Sequence, residues 1–333
     1  MELILRHEDA NVKVEKLVSG KNRITVELLN KELFIPYRVW ETSYPIDLIE
    51  QILNVKGPAW LCDEIMRDES SEYVQKKLKY DILCYVSEEE FKNKKILDFG
   101  CGSGASTMIL GRMFPYTAIV GIELEHKLLS IAKLRLKHYG FDKIKLLIST
   151  SANNLPKDIG NFDYIILSAV FEHLLPYERK TLLPKIWNLL KPNGILFVNQ
   201  TPYRYFPIET HTTSGLPLIN YLPDRAALFF ARNFSKSNLK SDSWETLLRQ
   251  GIRGCSASAI LNILNNCRQK PILLEPSRLG VKDRIGLWYI KSSKTRFVTI
   301  KKMFLFSTKF LKMLTGITFL PSLSLAIKKA PVD

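Results

Sequence analysis

The strongest constraint on the fold is an alternation of short apolar runs and helical patterns that begins at Lys95. The apolar runs have the length of strands and lie at 96–99, 118–122, 144–148, 162–167 and 195–198, and helical patterns occur at 105–114, 125–139 and 177–190. Strands that alternate with helices at this pitch form a parallel sheet with helices on both faces. We therefore predict an α/β fold with a doubly wound, mostly parallel sheet of about seven strands.

The segments on either side of this region have different patterns. Before it, runs at 12–18 and 23–29 flank a Ser-Gly-Lys-Asn turn and predict a hairpin, and helical spacing follows over 46–86. Ser87 and Glu90 form the pattern of a capping box. After it, we predict helices at 242–250, 256–266 and 297–314, and strands at 284–290 and 323–327 that pair at the edge of the same sheet.

Composition excludes several classes of protein. The five cysteines of the 333-residue chain form no Cys-x-x-Cys pair, so neither a zinc ribbon nor a disulfide framework is expected, and we predict no metal site. No apolar run reaches the roughly 18 residues of a membrane span, and the first residues lack the pattern of a signal peptide. The expectation is a reduced, cytoplasmic protein.

The positive charge is concentrated near the end of the chain. Residues 201–333 carry 21 Lys and Arg against 7 Asp and Glu, which accounts for +14 of the net +15. Within the predicted helix 297–314, Lys301, Lys302, Lys309 and Lys312 fall within about a quarter-turn of the helical wheel. Two interpretations stay open: a packed helix with one lysine face in water, or an interfacial helix on an anionic bilayer.

A glycine-rich turn joins the first strand of the alternating region to the next helix. Gly100, Gly102 and Gly104 let a ligand approach the backbone at a helix N-terminus. This spacing also fits a dinucleotide-binding fingerprint, with Glu123 near the position of a ribose-binding acid. Asp98 argues against that alternative, because its carboxylate would repel a diphosphate. The same carboxylate suits the ammonium and sulfonium of S-adenosylmethionine.

Five motifs in order resemble those of class I S-adenosylmethionine-dependent methyltransferases of the small-molecule type. The segment Ile-Leu-Asp-Phe-Gly-Cys-Gly-Ser-Gly-Ala at 96–105 resembles the first motif. Asn-Leu-Pro at 154–156, Phe-Asp-Tyr-Ile at 162–165, Phe-Glu-His-Leu at 171–174 and Leu-Lys-Pro-Asn-Gly at 190–194 resemble later ones. The resemblance covers about 95–200 and implies S-adenosylmethionine as the cofactor.

The resemblance divides the chain into four parts. It implies an S-adenosylmethionine-binding core over 91–200, preceded by an N-terminal α+β cover over 1–90. An acceptor-binding insertion after the fifth strand would then occupy 201–295. Residues 296–333 would supply a helix and the last strand of the core sheet.

The resemblance also implies roles at the methionine end of the cofactor. Asp98 would orient the methionine amino group, largely through water. The backbone at Gly100, Gly102 and Gly104 would approach the methionyl and ribose portions. Ser168, at the end of the fourth strand, would place its carbonyl near the methionine ammonium.

Four further residues would contact the nucleoside. Glu123 would accept hydrogen bonds from both ribose hydroxyls, and Leu124 would pack on adenine. Ser151 and Ala152 would lie at the adenine edge. The family often has an acidic residue where this chain has Ser151, which weakens the case for an adenine amino contact there.

Four residues are candidates for activating an acceptor, because a hydroxyl acceptor needs a general base. Glu172 and His173 follow the fourth strand, and Glu209 and His211 follow the fifth, so all four are expected at the carboxyl edge of the sheet, where ligands bind. His173 belongs to a family signature and can serve packing and helix capping instead.

Two absent motifs limit the class of acceptor. The sequence after the fourth strand reads Ser-Ala-Val-Phe at 168–171, not the Asp/Asn-Pro-Pro-aromatic motif of amine-methylating DNA enzymes, and no Pro-Cys nucleophile is present. We therefore predict O-methylation of a small-molecule, glycan or lipid-linked acceptor. Peripheral contact with an anionic membrane stays open, as the second of the two interpretations of the helix at 297–314.

Three alternatives remain open: a nicotinamide-dependent oxidoreductase, a catalytically inactive nucleotide-binding module and an RNA methyltransferase. A nucleic-acid partner is disfavoured, because no RNA-binding motif accompanies the basic C-terminal part. The sequence leaves the identity of the acceptor and the oligomeric state open.

Overall fold

A computed structural model of the chain describes residues 2–29, 34–149, 151, 154–211, 213–292 and 298–331. The chain divides into two compact units. The first comprises Met1–Leu78, Cys101–Pro115 and Ile119–Ile148, and the second comprises Lys79–Gly100, Tyr116–Ala118 and Ser149–Asp333. The four-part division derived from the sequence stays a prediction.

A seven-stranded, mostly parallel sheet has the strand order β10-β11-β9-β8-β5-β6-β7, which confirms the predicted fold class. Its strands are β5 (Lys95–Phe99), β6 (Ala118–Glu123), β7 (Ile144–Ile148), β8 (Phe162–Ser168), β9 (Leu190–Pro202), β10 (Pro271–Leu274) and β11 (Ser322–Lys329). The strand predicted at 195–198 is longer in the structure, where β9 runs from Leu190 to Pro202. The pairing of β9 with β8 shifts register between Phe162 and Tyr164.

A second, antiparallel sheet of four strands lies in the first unit. Its strands are β1 (Glu2–His7), β2 (Ala10–Lys16), β3 (Asn22–Leu28) and β4 (Val39–Thr42). The pairing of β2 with β3 confirms the predicted hairpin. Burial alternates along β2, so one face of this sheet packs in a hydrophobic core that also includes Ile52, Ile65 and Ile131 from three helices.

Eleven α-helices are assigned among the described residues. They are α1 (Ile46–Lys56), α2 (Leu61–Glu69), α3 (Lys76–Leu83), α4 (Ala105–Met113), α5 (His126–Tyr139), α6 (Pro176–Leu189), α7 (Asp224–Phe234), α8 (Trp244–Arg249), α9 (Ala257–Asn265), α10 (Arg284–Lys291) and α11 (Val298–Thr315). The capping box predicted at Ser87 and Glu90 is present and begins a short 3-10 turn. The helix predicted from Phe297 begins, within the described residues, at Val298.

The strand predicted at 284–290 is wrong, because this segment forms helix α10. Asp283 is the physical reason: its carboxylate accepts a hydrogen bond of 2.6 Å from the Gly286 N–H and caps the first turn. The predicted pairing partner of the last strand is wrong too. Strand β11 pairs in antiparallel register with β9 on one side and with β10 on the other.

A buried guanidinium organises the first unit. Arg135 on α5 is fully buried and donates to the Glu64 carboxylate at 3.0 Å, to the Ser103 carbonyl at 2.9 Å and to the Tyr44 hydroxyl at 2.9 Å. The buried charge of Arg135 is balanced by the Glu64 carboxylate, which faces it. The attraction to Arg135 lowers the pKa of Glu64, whereas burial alone would raise it. The network joins α2, α5 and the glycine-rich turn.

We expect Arg135→Met to lower the free energy of unfolding by about 3–5 kcal/mol, because the buried Glu64 carboxylate would lose its charge partner. Urea denaturation measures the change. Arg67→Met is the matched control: Arg67 is half-exposed and lies 3.9 Å from Asp63, so its loss should cost less than about 1 kcal/mol. Equal losses in the two variants would contradict this role for Arg135.

Candidate active site

The glycine-rich turn of the first unit leads into α4. Gly104 is the N-cap of α4 in a left-handed conformation. Gly102 has φ of +57°, and no atom lies within 4 Å of the position that a Cβ would occupy there. A non-glycine residue at 102 would be strained and would project a side chain into open space, so this position keeps the backbone accessible to a ligand.

The Glu123 carboxylate at the end of β6 is held by three backbone N–H groups. Its Oε2 accepts from Gly102 at 2.7 Å, and its Oε1 accepts from Leu124 at 2.7 Å and from Glu125 at 3.0 Å. These bonds fix an anionic acceptor beside the glycine-rich turn. A carboxylate has about four acceptor positions, so Oε2 retains capacity for a further donor. Leu124 beside it is exposed.

In the second unit, the carboxyl ends of β5 and β8 lie side by side. The two strands pair in parallel, with Asp98 opposite Ile166, so Asp98 and Ser168 lie at one edge of this sheet. Asp98 is buried, and the Ser168 hydroxyl accepts a hydrogen bond of 2.7 Å from Gln200 Nε2. The predicted roles of Asp98 and Ser168 toward methionine stay predictions.

Gly100 follows β5, and a Cβ at this position would lie 2.6 Å from Val170 Cγ2. Its φ of +72° and this close contact both require glycine. Packing against Val170 therefore explains Gly100 without a ligand.

The predicted adenine edge is described only in part. Ser151 is exposed, and its carbonyl accepts a hydrogen bond of 3.0 Å from the Ser149 hydroxyl, which also donates to the Asn154 carbonyl at 2.6 Å. Ala152 lies outside the described residues. Their contacts with a nucleoside stay predictions.

Three of the four predicted acceptor-side residues come together in the second unit. One carboxylate oxygen of Glu172 and one ring nitrogen each of His173 and His211 all lie within 4.8 Å of one another. Glu172 Oε1 is 3.7 Å from His211 Nε2, and Glu172 Oε2 accepts a hydrogen bond of 2.8 Å from the Thr201 hydroxyl. We name Glu172, His173 and His211 the acceptor cluster.

Glu209 serves the loop that carries His211. One carboxylate oxygen accepts from the His211 backbone N–H at 2.5 Å, and the other accepts from the backbone N–H groups of Ser214 at 2.8 Å and Gly215 at 2.9 Å. These bonds hold the backbone of His211, Ser214 and Gly215 around the carboxylate. A direct catalytic role for Glu209 stays a prediction.

Comparison with known proteins adds to this geometry. Residues 96–194 match a family model described as a methyltransferase domain. A ubiquinone biosynthesis O-methyltransferase of Pelagibacter ubique is 29% identical over 126 residues, which cover 38% of this chain and 50% of that protein. A ubiquinone/menaquinone biosynthesis C-methyltransferase of Wigglesworthia glossinidia brevipalpis is 29% identical over 152 residues, covering 45% and 58%.

The chain contains a class I S-adenosylmethionine-dependent methyltransferase domain. This confirms the predicted family and its cofactor, S-adenosylmethionine. The chain spans about half the length of the curated relatives it matches. Among solved structures, the YcgJ protein of Bacillus subtilis aligns with a TM-score of 0.44 at 11% identity, covering 78% of this chain and 100% of that one.

Burial is the main influence on the ionisation of His211 and Glu172 in the acceptor cluster. Burial is the largest influence on the pKa of His211 and lowers it, the nearby His173 lowers it further, and Glu209 opposes the shift. This shift favours the neutral His211 imidazole, in which one ring nitrogen has a lone pair. Burial raises the pKa of Glu172, opposed first by His173.

Sequence reasoning missed the groups that hold the two imidazoles. His173 Nδ1 lies 2.6 Å from the Arg249 carbonyl oxygen, and His211 forms a hydrogen bond with the Gln250 backbone. The Arg249 guanidinium makes two bonds to the Glu178 carboxylate, at 2.6 and 2.7 Å, which anchors the end of α8 on α6. Backbone carbonyls have no residue signature, so no motif could have identified them.

We expect Glu123→Ala to weaken S-adenosylhomocysteine binding by about 2–3 kcal/mol, because the ribose hydroxyls would lose a charged acceptor. Isothermal titration calorimetry measures the change. Glu125→Ala is the matched control, since Glu125 is exposed and caps no N–H with its side chain. An affinity in Glu123→Ala equal to that of the parent would refute the ribose contact.

Proposed function

We propose that the protein transfers a methyl group from S-adenosylmethionine to an oxygen atom of a small or lipid-linked acceptor. The observation that carries this proposal is the acceptor cluster, whose residues follow β8 and β9 in a chain that contains a methyltransferase domain. The names of the relatives support a small-molecule acceptor. One is called a ubiquinone biosynthesis O-methyltransferase, and another, from Methylobacterium radiotolerans, is called a trans-aconitate 2-methyltransferase.

S-adenosylmethionine supplies a methyl group already activated by its sulfonium, so the protein chiefly aligns the reactants and excludes water. A hydroxyl acceptor must also lose its proton, and a neutral imidazole beside a carboxylate is suited to assist that loss. In this proposal His211 and Glu172 activate the acceptor oxygen. Glu209 and the Gln250 backbone hold His211 in position.

We expect His211→Ala to lower turnover by roughly 10²–10⁴-fold with nearly unchanged S-adenosylhomocysteine affinity, because the acceptor oxygen would lose its activating group. The assay follows transfer of a labelled methyl group to a panel of hydroxylated acids, sugars and prenylated phenols. His126→Ala, at the exposed start of α5, is the control and should retain turnover.

Two outcomes of the assay would count against the proposal. Parental turnover in His211→Ala would exclude a role for this residue in acceptor activation. Transfer of label to nitrogen or carbon of every productive acceptor would exclude O-methylation. Absence of turnover together with tight cofactor binding would favour the inactive binding module.

We further propose that the protein works on the cytoplasmic side of an anionic membrane through helix α11. Much of this helix's surface is apolar and exposed, and Thr308 alone of its residues is buried. Phe306 is 76% exposed and Met313 is 73% exposed, and the same surface includes Ile300, Met303, Phe310 and Leu314. Large exposed apolar patches mark protein or membrane contacts, and the positive charge of residues 201–333 favours an anionic surface.

The lysines of α11 are arranged differently from the single lysine face that the helical wheel suggests. Lys301 donates to the Ser292 carbonyl at 3.1 Å and lies 4.4 Å from the centre of the Tyr289 ring, so it turns toward α10. Lys302 and Lys309 are exposed beside the apolar surface. This arrangement, with cations flanking apolar side chains, suits an interfacial helix. Within the described ranges no helix is long and apolar enough to cross a bilayer.

We expect the protein to float with anionic vesicles at low salt, and the bound fraction to fall as ionic strength rises toward about 0.5 M, because screening shortens the reach of the lysines. Replacing Phe306 and Met313 with Ser should abolish flotation without changing cofactor affinity. Tyr116→Ser, at an exposed aromatic residue outside α11, is the control. A parent protein that stays out of the vesicle fraction would refute the membrane proposal.

A further inference from the structure

One oxygen of the buried Glu172 carboxylate has no hydrogen-bond donor among the described residues. Glu172 has 0% exposed surface, and its Oε1 receives no hydrogen bond from any of the described residues. His211 Nε2, at 3.7 Å from Oε1, is beyond hydrogen-bond distance. A buried acceptor atom without a donor has lost its hydration, and no hydrogen bond within the protein compensates for that loss. Within the acceptor cluster, His173 belongs to the same group of close ligand atoms as Glu172 and His211.

The two imidazoles are held in a way that is typical of metal ligands. The Arg249 carbonyl can only accept a hydrogen bond, so His173 Nδ1 is the donor, and Nε2 is the ring nitrogen left to bind a cation. The His211 ring forms a hydrogen bond with the backbone of Gln250, which follows Arg249 in the chain. His211 Nε2 lies on the side of Glu172. Metal-bound imidazoles usually donate their other N–H to a carbonyl or carboxylate, which fixes the tautomer.

We infer that Glu172, His173 and His211 form a binding site for a divalent transition-metal ion, with Glu172 Oε1 and the two Nε2 atoms as ligands. The inference deepens the proposed function and rests on it for the role of the cluster. It departs from the sequence prediction of no metal site, which considered cysteine spacing.

Distances and donor types agree with such a site. Bonds of about 2.0–2.1 Å to Zn²⁺ place tetrahedral ligands about 3.3 Å apart, so ligand atoms that lie within 4.8 Å need shifts of about 1 Å. Two imidazoles and one carboxylate favour zinc, iron or nickel over magnesium and calcium. Three protein ligands leave a position for an acceptor hydroxyl, whose pKa a bound cation would lower.

The test is titration of the chelator-treated full chain with Co²⁺, whose visible absorption reports nitrogen and oxygen coordination. The expected result is one bound Co²⁺ per chain. His211→Ala and Glu172→Gln should each weaken binding by at least about 100-fold, because each removes a ligand. His7→Ala is the matched control, since His7, Glu8 and Asp9 form the other group of candidate ligands in the described part of the chain.

S-adenosylhomocysteine binding, measured on the same samples, separates the possible failures. Retained binding in each variant shows that the loss of Co²⁺ is not unfolding. A parent chain that binds S-adenosylhomocysteine but no Co²⁺ overturns the metal site and leaves the proposed function intact. Parental Co²⁺ affinity in His211→Ala, or its loss in His7→Ala, also overturns the site. A parent that binds Co²⁺ with the expected variant pattern but no S-adenosylhomocysteine supports the site and refutes the proposed function.

Discussion

The buried guanidinium of Arg135 is the interaction on which the geometry of the first unit depends. It binds Glu64 of α2 and the carbonyl of Ser103, the residue next to Gly102, from within α5. Fixing Ser103 fixes the turn in which the Gly102 N–H meets the Glu123 carboxylate. Because a buried charge tolerates little displacement from its partners, helix α2 helps to support the candidate ribose contact at Glu123.

Much of the fold followed from periodicity and turn chemistry. The alternation that begins at Lys95 predicted β5 to β9 and their helices, because a parallel sheet leaves runs of apolar residues at strand positions. The glycine motif and Glu123 lie far apart in sequence, yet the topology of adjacent βα units brings them into contact. Glu172 follows β8 and His211 follows β9, and these two strands are parallel neighbours. The sheet topology therefore predicted that the two residues lie close together, as they do.

The failures have physical causes that single-sequence patterns do not record. The short apolar run at 284–290 predicts a strand, whereas the Asp283 cap is the signal that decides for helix α10. The helical wheel places four lysines of α11 on one face, whereas Lys301 packs on Tyr289 of the neighbouring helix, a tertiary contact that the wheel does not represent. The carbonyls of Arg249 and Gln250 act through the backbone, which no residue pattern marks.

The proposed methyl transfer depends on the binding of S-adenosylmethionine by this chain. Calorimetric titration of the unmodified protein with S-adenosylhomocysteine and, separately, with NAD tests it most directly, because the glycine-rich turn alone fits both ligands. We expect one S-adenosylhomocysteine site per chain and no measurable binding of NAD. Saturable NAD binding in the absence of S-adenosylhomocysteine binding would contradict this expectation.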